Sequence, residues 1–330
     1  MSHAINRNES SPFFTVLKAA VAVVLPVLLA LAVVTEAHQA NTPGDYTISV
    51  NVGLVVLPVR VTNQAGDSVP GLDASDFRVL EAGRPQQITL FEPEDVPATV
   101  GLVVDNSGSM RTKRGGVIAA DLAFVKSSNP RDQMFVVNFN QSVSLGLPKS
   151  IPFTNDPLQL RAALSKVWPS GNTALYDAIA AGLQHLKAGT GERKALIVVT
   201  DGGDNASQLK FHDVLKMAEA SNAAIYAIGL VDENFTDENP RVLRELAKAT
   251  GGQAYFPTSL AETTNITEQI AHDIREQYTI GYVPAPPVAG GKFRPIKVLV
   301  KAAGVGRLHV QTRAGYLPPS EPTLAVSTAR

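Results

Sequence analysis

The sequence predicts an α/β protein in which a doubly wound, mostly parallel sheet is inserted into a β-sandwich built from the strands on either side of it. Three observations carry this. Residues 97–275 alternate short β-rich runs with helical patterns, the arrangement of a parallel sheet covered by helices. Residues 45–96 carry only β patterns and turns, and residues 277–317 return to them. Neither flank alone has enough strands to bury two faces, so the flanks are expected to close on each other as one sandwich.

The elements follow in order. Residues 1–37 contain an apolar run from Ala19 to Val34, broken by Pro26 and preceded by Arg7 and Lys18. It is short for a spanning helix, and Thr35-Glu36-Ala37 offers small residues for signal-peptide cleavage after Ala37. An uncleaved N-terminal anchor is the rival reading, and both export the remainder. Tyr46 to Val52 alternates with period two, and Leu54 to Thr62 is a second strand in which Pro58 marks an edge or a bend. Phe77 to Leu80 and Gln86 to Phe91 form a hairpin around Ala82-Gly83-Arg84-Pro85.

In the middle, Val100 to Val104, Met134 to Phe139, Leu196 to Thr200 and Ala224 to Leu230 read as strands. Helical patterns cover Val117 to Lys126, Leu158 to Val167, Thr173 to Leu186, Leu209 to Ala220, Pro240 to Ala249 and Leu260 to Ile274. In the third, Leu175, Ile179, Leu183 and Leu186 make one buried stripe. After residue 277, Lys292 to Lys301 alternates, as does Arg307 to Arg313, with Leu308, Val310 and Thr312 on the apolar side and Arg313 on the polar one. Residues 318–330 read as a disordered tail.

Composition narrows the function. The chain has 330 residues, and Lys+Arg of 29 against Asp+Glu of 30 gives a formal net charge of −1 with no basic stripe, so no nucleic-acid partner is expected. There is no cysteine, which removes disulfides, thiolate metal sites, cysteine nucleophiles and a lipoprotein anchor. The six histidines show no metal-binding spacing and read as surface or packing residues. No nucleophile elbow, phosphate loop or dinucleotide fingerprint occurs, and an enzyme is not expected.

The chemistry gathers at Asp105-Asn106-Ser107-Gly108-Ser109, directly after the first strand of the α/β region. Ligands of open parallel sheets bind at the carboxyl ends of the strands, where their order reverses. Thr173, in Ser170-Gly171-Asn172-Thr173 before a helix, and Asp201, closing the strand Leu196 to Thr200, fall at equivalent places. All are oxygen donors, as a hard cation such as Mg²⁺ prefers. Taken alone, Asp105, Ser107 and Ser109 read more readily as caps of the next helix; Thr173 and Asp201 in register turn the reading to a metal site.

The set Asp-x-Ser-x-Ser, a distant Thr and then Thr-Asp-Gly resembles the von Willebrand factor A family and its metal-ion-dependent adhesion site, over residues 97–275. The resemblance implies Mg²⁺ or Mn²⁺ bound directly by Ser107 and Ser109. Thr173 would bind it directly or through water, with Asp105 and Asp201 mainly behind water. It also implies a last helix, Leu260 to Ile274, that shifts on ligation and leads into the sandwich. Val69-Pro70-Gly71-Leu72, Asp76-Phe77, Tyr278 to Tyr282 and Arg313-Ala314-Gly315-Tyr316 are similar to a narrower group, exported von Willebrand factor A-related proteins abundant in acidobacteria.

A cation held mainly by neutral hydroxyls stays under-neutralised and would accept a partner's Asp or Glu carboxylate. The expected role is therefore an exported cell-envelope protein that binds a protein partner. An envelope scaffold with a structural metal is the alternative, and a metal-dependent hydrolase a remote third. Asp204 reads as a solvated loop carboxylate rather than a support near the metal, and Asp177 either orients the start of the helix after Thr173 or, equally, is a helix-dipole or surface residue. Trp168, the single tryptophan, is either a contact anchor on the metal face or packed under its loop.

Overall fold

The computed structural model describes residues 53–93, 95–201, 203–230, 240–285, 292–302 and 306–318. The expected leader of residues 1–37, the strand Tyr46 to Val52 and the tail beyond Pro318 lie outside them. Pro318 itself is buried. Among the described residues no helix is long and apolar enough to cross a membrane.

The first strands are β1 (Val55–Thr62), β2 (Phe77–Glu81), β3 (Arg84–Gln86) and β4 (Ile88–Glu92). The chain then enters the α/β layer with β5 (Ala98–Asp105), α1 (Arg114–Ser127), β6 (Gln133–Phe139), β7 (Val143–Leu145), α2 (Pro157–Leu164) and α3 (Leu175–Leu186). It continues through β8 (Arg193–Thr200), α4 (Phe211–Ala220), β9 (Ala223–Gly229), α5 (Pro240–Thr250), β10 (Ala254–Tyr255) and α6 (Leu260–Arg275). Four strands end it: β11 (Tyr278–Tyr282), β12 (Arg294–Val300), β13 (His309–Gln311) and β14 (Gly315–Tyr316).

The central sheet has the order β10-β9-β8-β5-β6-β7. It is parallel except for β7, which pairs antiparallel with β6. Every position of β5, Ala-Thr-Val-Gly-Leu-Val-Val-Asp, is buried, because helices cover both faces of such a sheet. Gly101 is required there: a Cβ would lie 2.4 Å from Phe135 and 2.6 Å from Leu196 on the neighbouring strands. The chain runs from β5 to β6 on one side and returns to β8 on the other, so the order reverses at the carboxyl ends of β5 and β8.

The flanking strands form two four-stranded sheets, β13-β1-β11-β4 and β14-β12-β2-β3, each mixing strands from before and after the α/β layer. Their inner faces share one core of Val55, Leu57, Val59, Val61, Phe77, Val79, Tyr278, Ile280, Tyr282, Ile296 and Val298. Pro58 sits in an interior strand, yet β13 covers only Arg60 to Thr62, so at Pro58 that side of β1 is still an edge. The β2–β3 hairpin turns at Ala82 and Gly83, both at positive φ, as a two-residue turn demands. Arg84 and Pro85 already belong to β3.

The flanking motifs turn out to be a packing set. The Tyr278 hydroxyl donates to the Val69 carbonyl at 2.7 Å and accepts from the Leu72 amide at 3.1 Å. Glu81 is fully buried; it accepts from the Tyr282 hydroxyl at 2.6 Å and the Tyr316 hydroxyl at 3.3 Å, and pairs with Arg294. Arg313 departs from the expectation of a polar face. It is buried, donating to the carbonyls of Glu219, Ser221 and Gly315, where the end of α4 leaves carbonyls without helical partners.

Two further arginines join the layers. Arg193, at the start of β8, donates to the Pro93 carbonyl (2.6 Å), to those of Ile274 and Arg275 (2.9 Å each) and to the Thr279 hydroxyl (3.2 Å). Arg60 of β1 pairs with Asp273 of α6 at 2.9 Å.

Candidate metal centre

Asp105 ends β5 and is 2% exposed. The Ser107 amide donates to its Oδ1 at 2.7 Å, and the Thr200 hydroxyl to its Oδ2 at 2.6 Å. Burial pushes this carboxyl up to about 6; the bonds from Thr200 and Ser107 oppose the rise and the Asp201 charge adds to it. Asp201 is also buried and lies close enough for its charge to be felt by Asp105. A cation there would relieve both the burial and the repulsion.

Ser107 and Ser109 place their hydroxyl oxygens 3.1 Å apart, a separation compatible with two ligands on one small cation. The loop that carries them is held from below by Asn106. Its amide donates to the Phe139 carbonyl at 2.6 Å, and its side chain donates to the Val104 carbonyl and to Asn138 Oδ1, both at 3.1 Å. Ser107 precedes a 3-10 turn, Gly108–Arg111, with no side-chain capping bond. The capping alternative for its hydroxyl is therefore not what the structure contains.

Thr173 comes to the same place on a second loop. The Ser170 amide donates to the Asn106 carbonyl at 2.9 Å, and the Gly108 amide to the Gly171 carbonyl at 3.0 Å. The Asn172 amide donates to Gln141 Oε1 at 3.2 Å. Thr173 donates its amide to Asn205 Oδ1 at 2.9 Å and receives the Asn205 amide at 3.0 Å. These bonds hold Thr173 outside α3, which begins at Leu175 rather than at Thr173. Asp201 follows β8 and is buried, with Lys113 Nζ 3.5 Å from its Oδ2.

All five positions lie at one edge of the sheet, on loops stitched to one another. The donors are hydroxyls and carboxylates, which suit a hard divalent cation. Among the described residues no group of three or more His, Cys, Asp or Glu is arranged to hold a metal, and this set is of a different kind, rich in hydroxyls.

Sequence reasoning missed four supports: Thr200, Asn106, Asn205 and Gln141. Their types are ordinary for strand ends and loops, so nothing marked them before the pairing of the strands was known. Asp204 is no free loop carboxylate. It accepts from the Tyr176 amide (3.2 Å) at the start of α3 and from the Ser207 hydroxyl (2.5 Å). Asp177 accepts from the amides of Gln208 and Leu209, at 2.9 and 3.0 Å, bracing the loop before α4. His185 packs between Phe135 and Phe153. Trp168 is 67% exposed, so it is not packed under its loop.

Comparison with known proteins places these observations. Residues 100–203 match the family model described as von Willebrand factor type A domain. An uncharacterized protein of Borreliella burgdorferi is 24% identical over 160 residues, 47% of this chain and 46% of its own length; the chain thus spans under half of that curated relative. Among solved structures, a von Willebrand factor type A protein from Catenulispora acidiphila is 15% identical with a TM-score of 0.48, covering 81% of this chain and 74% of that one. An aerotolerance-related membrane protein from Bacteroides fragilis is 17% identical with a TM-score of 0.44, covering 54% and 98%. The von Willebrand factor domain of the pilus tip protein Mfa5 from Porphyromonas gingivalis is 14% identical, with a TM-score of 0.44 and coverage of 55% and 97%.

Proposed function

We propose that this protein, whose residues 100–203 are a von Willebrand factor type A domain, binds a protein partner at the cell envelope through a Mg²⁺-dependent adhesion site at Asp105, Ser107, Ser109, Thr173 and Asp201. The carrying observation is the pair of hydroxyls 3.1 Å apart, beside the buried Asp105 and at the same edge of the sheet as the buried Asp201. Bound there, Mg²⁺ or Mn²⁺ supplies a Lewis-acidic position for an oxygen anion. Ser107 and Ser109 are its direct ligands in this reading. Asp105 is committed on both oxygens to Thr200 and Ser107, which suits a residue acting through water.

The ligand set favours binding in trans. Neutral hydroxyls leave the cation short of negative charge, so an Asp or Glu carboxylate from a partner completes the shell. A hydrolytic role would want a general base beside the metal. His185 is turned to the Pro152 carbonyl at 2.9 Å and packs on Phe135 and Phe153. The export of the chain rests on the apolar run in residues 1–37.

Calorimetric titration with Mg²⁺ and Mn²⁺, of the wild type beside Asp105→Ala and Ser107→Ala, tests the site. Saturable uptake lost in both variants supports it. No uptake by a folded wild type removes it, and a scaffold without a working metal site then remains.

A further inference from the structure

An isolated exposed hydrophobic side chain is ordinary on a protein surface. Trp168 differs in being immobilised. The Arg114 guanidinium lies over its ring at 4.8 Å from the centroid. That guanidinium is fixed by donating to the carbonyls of Ser165 (2.7 Å) and Val167 (3.0 Å), which precede the indole in the same loop. One face of the ring is thus covered by a cation, and the residue remains two-thirds open to solvent.

Its loop is also the metal loop. Two residues on, the Ser170 amide donates to the Asn106 carbonyl, and the Gly171 carbonyl accepts from the Gly108 amide. These bonds tie the loop that carries Trp168 to the loop that carries Ser107 and Ser109. A rigid aromatic loses little conformational freedom on binding, which is why tryptophan dominates interface hot spots.

The charge of the surroundings selects the occupant. Arg111, Lys113 and Arg114 follow Ser109 closely; Arg111 is exposed and the other two are half-buried. With Asp105 and Asp201 set against a divalent cation, this rim is cationic. We propose that Trp168 and the metal centre form one docking face whose occupant is an acidic protein segment. Its Asp or Glu carboxylate faces the metal, and a large apolar side chain beside it lies on the open indole. This rests on the adhesion-site reading and adds what that reading leaves open, the residue type next to the carboxylate.

The single tryptophan makes the face observable. The full chain would be titrated by fluorescence with acetyl-Leu-Asp-Leu-amide, acetyl-Ala-Asp-Ala-amide and acetyl-Leu-Asn-Leu-amide, each with Mg²⁺ and with EDTA. The expected result is a saturable change with the first peptide that needs Mg²⁺ and needs the carboxylate. Half-saturation should lie about fivefold lower than for the alanine peptide, the effect of covering one apolar side chain. By calorimetry, Trp168→Ala and Arg114→Ala should bind Mg²⁺ as the wild type does and lose that fivefold preference.

Mg²⁺ uptake with no peptide response, or an unchanged preference in Trp168→Ala, overturns the docking face and leaves the metal site standing. No Mg²⁺ uptake by the wild type overturns both. A metal-independent blue shift on phosphatidylglycerol vesicles, without a peptide response, overturns the proposal in favour of a membrane surface.

Discussion

Lys113 Nζ stands 3.5 Å from Asp201 Oδ2 and donates to the Leu230 carbonyl at 2.8 Å. An ammonium is thus the counter-ion of a proposed metal-shell carboxylate. It fixes where Asp201 points, and it opposes the arrival of a second cation. Lys113→Gln keeps a donor for Leu230 and removes the charge. Mg²⁺ affinity should rise about three- to tenfold at low salt, and less at high salt where charges are screened. Calorimetry at two ionic strengths checks it; weaker binding in the variant would mean that Lys113 serves the site by orientation alone.

Gly171 holds φ at +74°, and a Cβ there would lie 1.5 Å from Gln141 Oε1, the atom that receives the Asn172 amide. Gly171→Ala must therefore push the Gln141 side chain off the Asn172 amide and hold an alanine in the left-handed region, loosening the loop that presents Thr173. The expected loss is about 1–3 kcal/mol of stability and at least a tenfold loss of metal affinity, with the far-ultraviolet dichroism unchanged. Denaturant titration and calorimetry on the same sample separate the two effects.

Asp121 of α1 is wholly buried, and neither carboxylate oxygen has a hydrogen-bond partner. Burial alone pushes it up to about 8. Between its ordinary value near 4 and that point, the folded chain holds a proton that the unfolded chain has released. Stability from this group is therefore full at acid pH and falls as pH rises through the window, by about 1.4 kcal/mol per unit. Asp121→Asn should flatten the slope, leaving the variant more stable at pH 8 and near parity only below about pH 4. Urea midpoints across that range decide the matter, and parallel pH profiles would contradict the assignment.

Arg193 satisfies three carbonyls and a hydroxyl where the α/β layer meets the sandwich. Arg193→Ala leaves those acceptors buried and should lower stability by about 3–5 kcal/mol. Arg193→Lys should recover little, since an ammonium cannot span acceptors that a planar fork reaches. Thermal melts would show this, and amide exchange should speed up most at the start of β11 and the end of α6. The same clamp bears on the last-helix shift that family resemblance implies. Its carbonyls at Ile274 and Arg275 are tied to β8, and Asp273 to Arg60, so a sliding α6 would have to break these bonds.

The α/β layer was legible because its strands are continuous apolar runs and its helices carry clear stripes; Leu175, Ile179, Leu183 and Leu186 are all buried. The five proposed site residues stood out because strand ends and a helix start mark the carboxyl edge of such a sheet, and their roles came from the resemblance of their spacing to a known family. What escaped was set by partners distant in sequence. The short strands β7, β10 and β14 exist only as additions to a neighbour. Arg313 alternates like a surface residue, yet it is drawn inward by the carbonyls at the end of α4. Thr200 gave no sign of itself until β5 and β8 lay side by side.

The pairing of β4 with β11, in register from Glu92 against Thr279, is a hairpin whose turn is the whole of residues 93–277. β1 likewise finds its described strand partners, β11 and β13, only in the last part of the chain. On the ribosome, these early strands must therefore wait while the α/β region is made, about 10–40 s at typical elongation rates. If that region folds first, Pro93 and Arg275 are already side by side on Arg193, and the closure entropy of the long turn has been met before the strands pair. The order of folding is then written into the topology, inner layer first, with the apolar faces of β1 and β2 exposed to aggregation or to chaperones until the final strands emerge.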